Sequence, residues 1–394
     1  MLKLLFFLFL AMNLCSCGSK KQQQADEKGC DEAPLLMLVG SYSSADSTGI
    51  KLYSFNQGTG DMQYISGLRG VSNPSYLTAS ASGNYVYAVS EDEVKTAAAN
   101  VISLDKKEGK MTLLDSKRTH GAAPCYIALS PREDFVVTAN YNGGSISVFD
   151  CKEKGILSEP QVVSFKGHGI DSERQEQSHL HCIGFAPNEQ YMLATDLGMD
   201  CIHVFPLKQE ERQACSLVAT QEAKPQVTFV QEEQQRKFML PAGAGPRHFC
   251  FSPNQKFIYL ITELSGDVIV MEYKGADTNI IQTIKADSLG AKGSADIHLT
   301  PNGKFLYASN RLKGDGIAIF SVDSTIGKLT KIGYQPTGIH PRNFVISPNG
   351  KYLLVACRFS NSIEVYEIDQ ATGFLKHTGK NVSTSEPSCL KFVY

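Results

Sequence analysis

No tryptophan occurs in the 394 residues, which excludes arrays of the tryptophan-aspartate repeat. Neither sign of charge is in excess: 38 Lys and Arg face 40 Asp and Glu, for a formal net charge of −2. Nucleic-acid binders concentrate basic surface, so no nucleic-acid partner is expected. Long apolar runs are also missing. The run from Leu4 to Met12 is well short of the roughly 20 residues that a membrane-crossing helix requires.

What that run does form is the core of a short secretory signal, with Lys3 before it and Leu14-Cys15-Ser16-Cys17-Gly18-Ser19 after it. The layout resembles the bacterial lipoprotein signal, which implies cleavage before Cys17 and a diacylglycerol on its thiol. Residues 1–16 are therefore expected to be a signal peptide and residues 17–34 a flexible tether, polar and rich in Lys and Gln. Residues 35–394 are expected to be the folded domain of an exported chain, lipid-anchored to the cell envelope at the periplasm or outer membrane. Of the eleven cysteines, Cys15 leaves with the signal and Cys17 is taken by lipid, so an odd number remains. Cys182, Cys250 and Cys389 fall in apolar runs, and mostly reduced, buried thiols are expected.

The folded part repeats. Anchors at Pro74, Pro124, Leu180, Pro246, Ser294 and Pro341 each stand seven residues before a turn position, and Pro387 opens a last partial copy. Their spacings are 50, 56, 66, 48, 47 and 46. Ser252-Pro253-Asn254-Gln255, Thr300-Pro301-Asn302-Gly303 and Ser347-Pro348-Asn349-Gly350 are three of the six turns, each between two apolar, alternating runs. A third strand such as Gly316-Ile317-Ala318-Ile319-Phe320 and a more polar fourth follow. Four strands per repeat are the signature of a propeller blade. Pro387 to Tyr394 is a first strand with nothing after it, and Leu35 to Gly40 and Gly49 to Phe55 are strands with nothing before them. The fold is thus expected to be all-β, a seven-bladed β-propeller of four-stranded antiparallel blades, its last blade closed by the two termini. Lys166 to Ser178 and the Gln/Glu-rich stretch Lys208 to Lys237 interrupt the period and are expected to be loops.

The first strand of each blade should line the central channel, opening at Ser75, Cys125, His181, Arg247, Ala295, Arg342 and Ser388. The second strand runs back beside it and exits at Glu91, Tyr141, Leu197, Glu263, Arg311, Arg358 and Tyr42. One mouth should therefore collect His181, Arg247, Arg342, Glu263, Arg311, Arg358 and, one position earlier, Asp196. Four arginines among the rim positions of a near-neutral chain favour a small ligand with a carboxylate or phosphate, although charged rims also serve to keep a wet channel soluble. His179-x-His181 with Asp196 admits a metal reading, but His248 neighbours Arg247 and should point the other way. Cys125 and Cys357 have no adjacent His to activate them as nucleophiles.

Arg174-Gln175, His179-Leu180-His181, Gly245-Pro246-Arg247-His248, Glu263-Leu264, Ser309-Asn310-Arg311, Pro341-Arg342-Asn343-Phe344 and Pro387-Ser388-Cys389 resemble, in order, the motifs of the seven-bladed lactonase family. Its members include propeller-type bacterial 6-phosphogluconolactonases and fungal carboxymuconate lactonizing enzymes. The resemblance implies hydrolysis of a sugar lactone by a site of His181, Glu263 and Arg247, with Arg342, Arg311, Arg358, His179 and Asp196 toward the substrate. It implies no metal or organic cofactor. His181 would deprotonate water and Arg247 would meet the oxyanion. The chain is expected to be a monomer. Replacing His181 or Glu263 by Ala should abolish activity with melting temperature nearly unchanged. The family's 6-phosphogluconolactonases act on a cytosolic intermediate, whereas this chain carries an export signal. A non-catalytic propeller binding an anionic, carbohydrate or protein partner, and a muconate-type lyase, are the alternatives.

Overall fold

The computed structural model describes residues 34–207, 232–275 and 277–394. The expected signal, the expected lipidation site Cys17, the expected tether up to residue 33 and most of the Gln/Glu-rich stretch lie outside these residues.

Each hairpin is set by its turn. The Ser252 hydroxyl accepts the Phe257 N–H at 2.9 Å, Ser347 does the same for Tyr352 at 2.9 Å, and Thr300 does so for Phe305 at 3.1 Å. A short hydroxyl side chain that bonds its own backbone competes with continued strand and favours reversal. The fourth turn residue takes a left-handed backbone, at φ 68° for Gly303 and 72° for Gly350, and at 62° for Gln255. The repeated Ser/Thr and the frequent Gly of the sequence therefore have a local cause.

The hairpins extend into seven antiparallel sheets. Blade 1 covers 77–118, blade 2 124–164, blade 3 180–239, blade 4 246–285, blade 5 294–336 and blade 6 341–383. Blade 7 is composite, as expected: Pro387–Val393 pairs with Leu35–Ser41, followed by Ile50–Phe55 and Met62–Leu68. Two boundaries differ from expectation. The fourth strand of blade 3, Arg236–Met239, starts inside the stretch expected to be loop, because its backbone completes the sheet beside Cys201–Pro206. The outer edge of blade 6 is split into Leu375–His377 and Val382–Ser383, both paired with Ser362–Ile368.

A blade has two apolar faces and can bury them only against its neighbours. The core accordingly lies between blades: Tyr259 and Val270 of blade 4 pack with Leu306 and Phe320 of blade 5, and Met37 and Phe55 of blade 7 with Leu354 and Val365 of blade 6. Each such side chain contributes about 1.5–3 kcal/mol on burial. The seven cysteines among the described residues are free thiols, buried except for the half-buried Cys250.

One irregularity recurs where the site will be. The innermost strands of blades 2 to 6 are bulged at their entrances, between Pro124 and Tyr126, Leu180 and Cys182, Pro246 and Phe249, Ser294 and Ile297, and Pro341 and Asn343. A bulge sets two residues against one and re-aims their side chains.

Candidate active site

In blade 4 the antiparallel strands Pro246–Phe251 and Phe257–Thr262 return the chain to its start. Glu263 N–H donates to Gly245 O at 2.7 Å, and Arg247 Nε donates to Glu263 Oε2 at 2.8 Å. Arg311, at the exit of blade 5, brings Nη2 to 3.3 Å from the same oxygen, and Arg174 Nη2 donates to Oε1 at 2.7 Å. Burial opposes ionisation of Glu263, but Arg311, Arg247 and Arg174 outweigh it and hold the carboxyl down to about 2. Glu263 is therefore a fixed carboxylate, too weak a base to take a proton from water near neutral pH. Burial, followed by repulsion from Arg247 and Arg342 against the attraction of Glu263, lowers Arg311 to about 9, which leaves it charged at neutral pH.

His181 stands in the next innermost strand. It is 4 % exposed, and its Nδ1 is buried without a hydrogen-bond partner. Its ring meets the edge of Tyr141 at 5.6 Å between centroids and of His248 at 5.2 Å. Burial, reinforced by Arg247, His248 and Arg342, pushes the imidazole well below its ordinary value. It is neutral at neutral pH, with an unsatisfied nitrogen, and the His248 ring it meets is itself 3.3 Å from Arg247 Nη1.

The expectation that His248 points away from Arg247 is corrected. The bulge interrupts the alternation, and Arg247 Nη1 lies 3.3 Å from His248 Nε2. His248 Nδ1 lies 2.8 Å from Asp296 Oδ1. An acceptor at Nδ1 and a donor at Nε2 select the Nδ1–H tautomer. Burial, and next Arg247, lower His248 to about 4. Asp296 Oδ2 in turn accepts from Asn343 Nδ2 at 2.5 Å, so blades 4, 5 and 6 are tied together behind Arg247. Arg247 is also fixed by Nη1 donation to Ala295 O at 2.6 Å.

Arg342 is half-buried on the far side of the mouth. Its Nη2 is 4.0 Å from Glu91 Oε2, which also accepts from the hydroxyls of Tyr42, at 2.8 Å, and Ser75. Arg358 lies at the outer edge, paired with Glu386 at 2.8 Å and stacked 3.8 Å above the Tyr42 ring. Two of the residues expected toward the substrate are engaged within the protein. His179 stacks on Tyr141 at 4.3 Å and bonds Tyr141 O through Nδ1 at 2.9 Å. Asp196 is fully buried and takes the Ser178 hydroxyl at 2.5 Å, the N–H groups of His179 and Met199 at 2.8 and 3.1 Å, and His203 Nε2 at 3.1 Å. Both residues hold the loop and the sheet end in place and present no free donor or acceptor to the mouth. Asp196, Cys201 and His203 form the one close trio of metal-type donors among the described residues, with donor atoms within 4.8 Å of one another. It lies inside the blade, apart from His181.

Three mouth residues were not assigned to the site from the sequence. Arg174 entered only as part of the motif Arg174-Gln175, because it lies outside the repeat period, on the segment 166–178. His248 was set aside by strict alternation. His340 precedes its anchor and sits at φ 62°, with Nδ1 buried and unpartnered. Burial, then Arg311 and Arg342, push His340 down to about 3. The thiols of Cys125 and Cys357 are raised by burial, which disfavours the nucleophilic thiolate.

Around the mouth four guanidiniums, of Arg174, Arg247, Arg311 and Arg342, face the carboxylates of Glu263 and Glu91. Positive charge is in excess, and Arg247, Arg311 and Glu263 are largely withdrawn from water. That arrangement suits an anionic ligand or a reaction that develops negative charge on oxygen.

A family model described as "Lactonase, 7-bladed beta-propeller" matches residues 36–392. A 6-phosphogluconolactonase of Formosa agariphila is 34% identical, with 91% of this chain and 99% of that protein covered. Among solved structures, a Bacteroides fragilis protein is 46% identical with a TM-score of 0.86, over 93% of this chain and 99% of its own. The periplasmic gluconolactonase of Pseudomonas aeruginosa is 28% identical with a TM-score of 0.82, over 92% and 99%.

Proposed function

The chain belongs to the seven-bladed β-propeller lactonase family, and from that premise we propose that it opens a sugar lactone to its hydroxy acid at the mouth residues His181, Arg247 and Glu263. The observation that carries the reading is the buried, unpartnered His181 Nδ1, on a ring that meets the His248 ring held against Arg247. The neutral imidazole takes a proton as water attacks the lactone carbonyl carbon. Negative charge then grows on the carbonyl oxygen, where Arg247 stabilises it. The bond to the ring oxygen breaks, that oxygen takes up the proton, and the product is a hydroxy acid whose carboxyl ionises. Glu263 stays ionised and aims Arg247. Arg311 and Arg342 hold an anionic group of the substrate, a phosphate on the 6-phosphogluconolactone pattern. No step calls for a metal or an organic cofactor.

The test is proton release by the purified chain on phosphorylated and plain gluconolactones. Rates above spontaneous opening are expected, with a loss of about 10²–10⁴-fold in His181→Ala and little change in melting temperature, since Nδ1 holds no partner. A folded wild-type chain that opens neither lactone would sink the reading.

The protein works outside the cytoplasm as a monomer, anchored through a lipid on Cys17. Support comes from the Leu14-Cys15-Ser16-Cys17 motif and from the periplasmic relative of similar fold. Cys17→Ser should move the chain from the membrane to the soluble fraction and abolish incorporation of a labelled fatty acid; light scattering of the released form checks its mass.

A further inference from the structure

Three guanidiniums hold Glu263, and they are not equivalent. The Arg247 side chain is 1% exposed and that of Arg311 5%, whereas that of Arg174 is 36% exposed. Arg247 is further fixed on Ala295 O, and Arg311 donates Nε to Gly293 O at 2.8 Å. Beyond Glu263, Arg174 has a 3.4 Å contact with the Tyr141 hydroxyl. That tyrosine is the one whose ring borders His181.

The backbone under Arg174 is firmly placed. Gln175 Nε2 donates to Leu197 O at 2.8 Å and to Asp200 Oδ1 at 2.7 Å. Across the mouth, Lys292 Nζ pairs with Asp171 Oδ2 at 2.7 Å. A fixed loop thus presents one half-exposed arginine to the space between Glu263 and Tyr141, next to His181. If Arg174 let go, Glu263 would keep Arg247 and Arg311, so no buried carboxylate would be stranded. The planar fork has donors to spare for a second oxyanion.

We propose that Arg174 is the substrate-exchanging cation of the mouth: it leaves Glu263 Oε1 for an oxyanion of the bound ligand and sets the preference for anionic over neutral lactones. The proposal rests on the lactonase reading for its substrate, but its binding arm does not. The oxyanion is either a phosphate on the substrate or the carboxylate formed on opening.

The experiment compares the full chain with Arg174→Gln and Arg174→Lys. In the turnover arm, the ratio of kcat/KM for phosphorylated over plain gluconolactone should fall about tenfold in Arg174→Gln, about 1.4 kcal/mol, and recover in part in Arg174→Lys. In the binding arm, calorimetry follows the phosphorylated and plain hydroxy acids. Selective weakening of the phosphorylated acid assigns the exchange to phosphate and supports the proposal, whereas equal weakening of both, with the turnover ratio unchanged, leaves exchange to the carboxylate and overturns the stated preference for anionic lactones. Unchanged affinity for both acids in a folded Arg174→Gln chain overturns the proposal. A wild type that binds the acids yet opens no lactone overturns the lactonase reading, and the binding arm still decides the role of Arg174.

Discussion

Arg247 Nε meets Glu263 Oε2 at 2.8 Å across a separation of 16 residues, because the hairpin between them returns the chain to its starting point. The remaining Glu263 oxygen, and a second contact on this one, are taken by arginines from a loop and from the next blade. One carboxylate thereby sets the position of three cations.

Glu263→Gln should accordingly impair folding as well as activity. The three guanidiniums left without their counter-ion argue against the unchanged melting temperature expected from the sequence for Glu263→Ala. Breaking a buried pair of this kind costs about 3–5 kcal/mol, so a clear drop in denaturation midpoint should accompany the lost lactone opening. Chemical denaturation of both chains checks it.

Arg247→Lys keeps the charge and loses the fork. A lysine cannot bond Glu263 and Ala295 O together while facing the substrate. Loss of one oxyanion donor is worth about 10²–10³ in kcat. That fall, with KM changed much less, is the expected outcome of steady-state kinetics.

The pH dependence follows from three imidazoles held below their ordinary value, His181 well below 6.5, His248 at about 4 and His340 at about 3. Between these values and 6.5 the unfolded chain binds more protons than the folded one, so stability rises with pH there. It should be complete above about 6.5 and decline as pH falls toward 4. Glu263, depressed from 4.5 to about 2, adds to the loss on further acidification. Activity should hold below pH 6.5, since His181 stays neutral, and fall only as that imidazole charges. Melting temperature and kcat/KM across pH 4–8 test both slopes.

Gly198→Ala should disturb the mouth without touching a charged group. A methyl there would run into the Gln177 carbonyl, 2.8 Å from its carbon, and lie 3.0 Å from His179 N. Overpacking of this kind costs about 1–3 kcal/mol. The strain would shift the segment that carries Arg174, so reduced turnover should accompany a modest fall in melting temperature.

The repeat, the four-stranded blades, the composite closure and the shared mouth could all be read from the chain itself. Each rests on local chemistry: Ser252, Thr300 and Ser347 reverse the backbone, and alternating apolar residues supply two faces to bury. His181, Arg247, Glu263, Arg311 and Arg342 were legible because antiparallel pairing alone brings their positions to one end. Only the tertiary structure decided what these residues do to one another. Bulges turned His248 inward against strict alternation, and a loop outside the repeat delivered Arg174 to Glu263. Asp196 and His179 were withdrawn into hydrogen bonds of the blade and loop. Orientation and partner choice depend on contacts between blades and loops distant in sequence, and no spacing within one repeat encodes them.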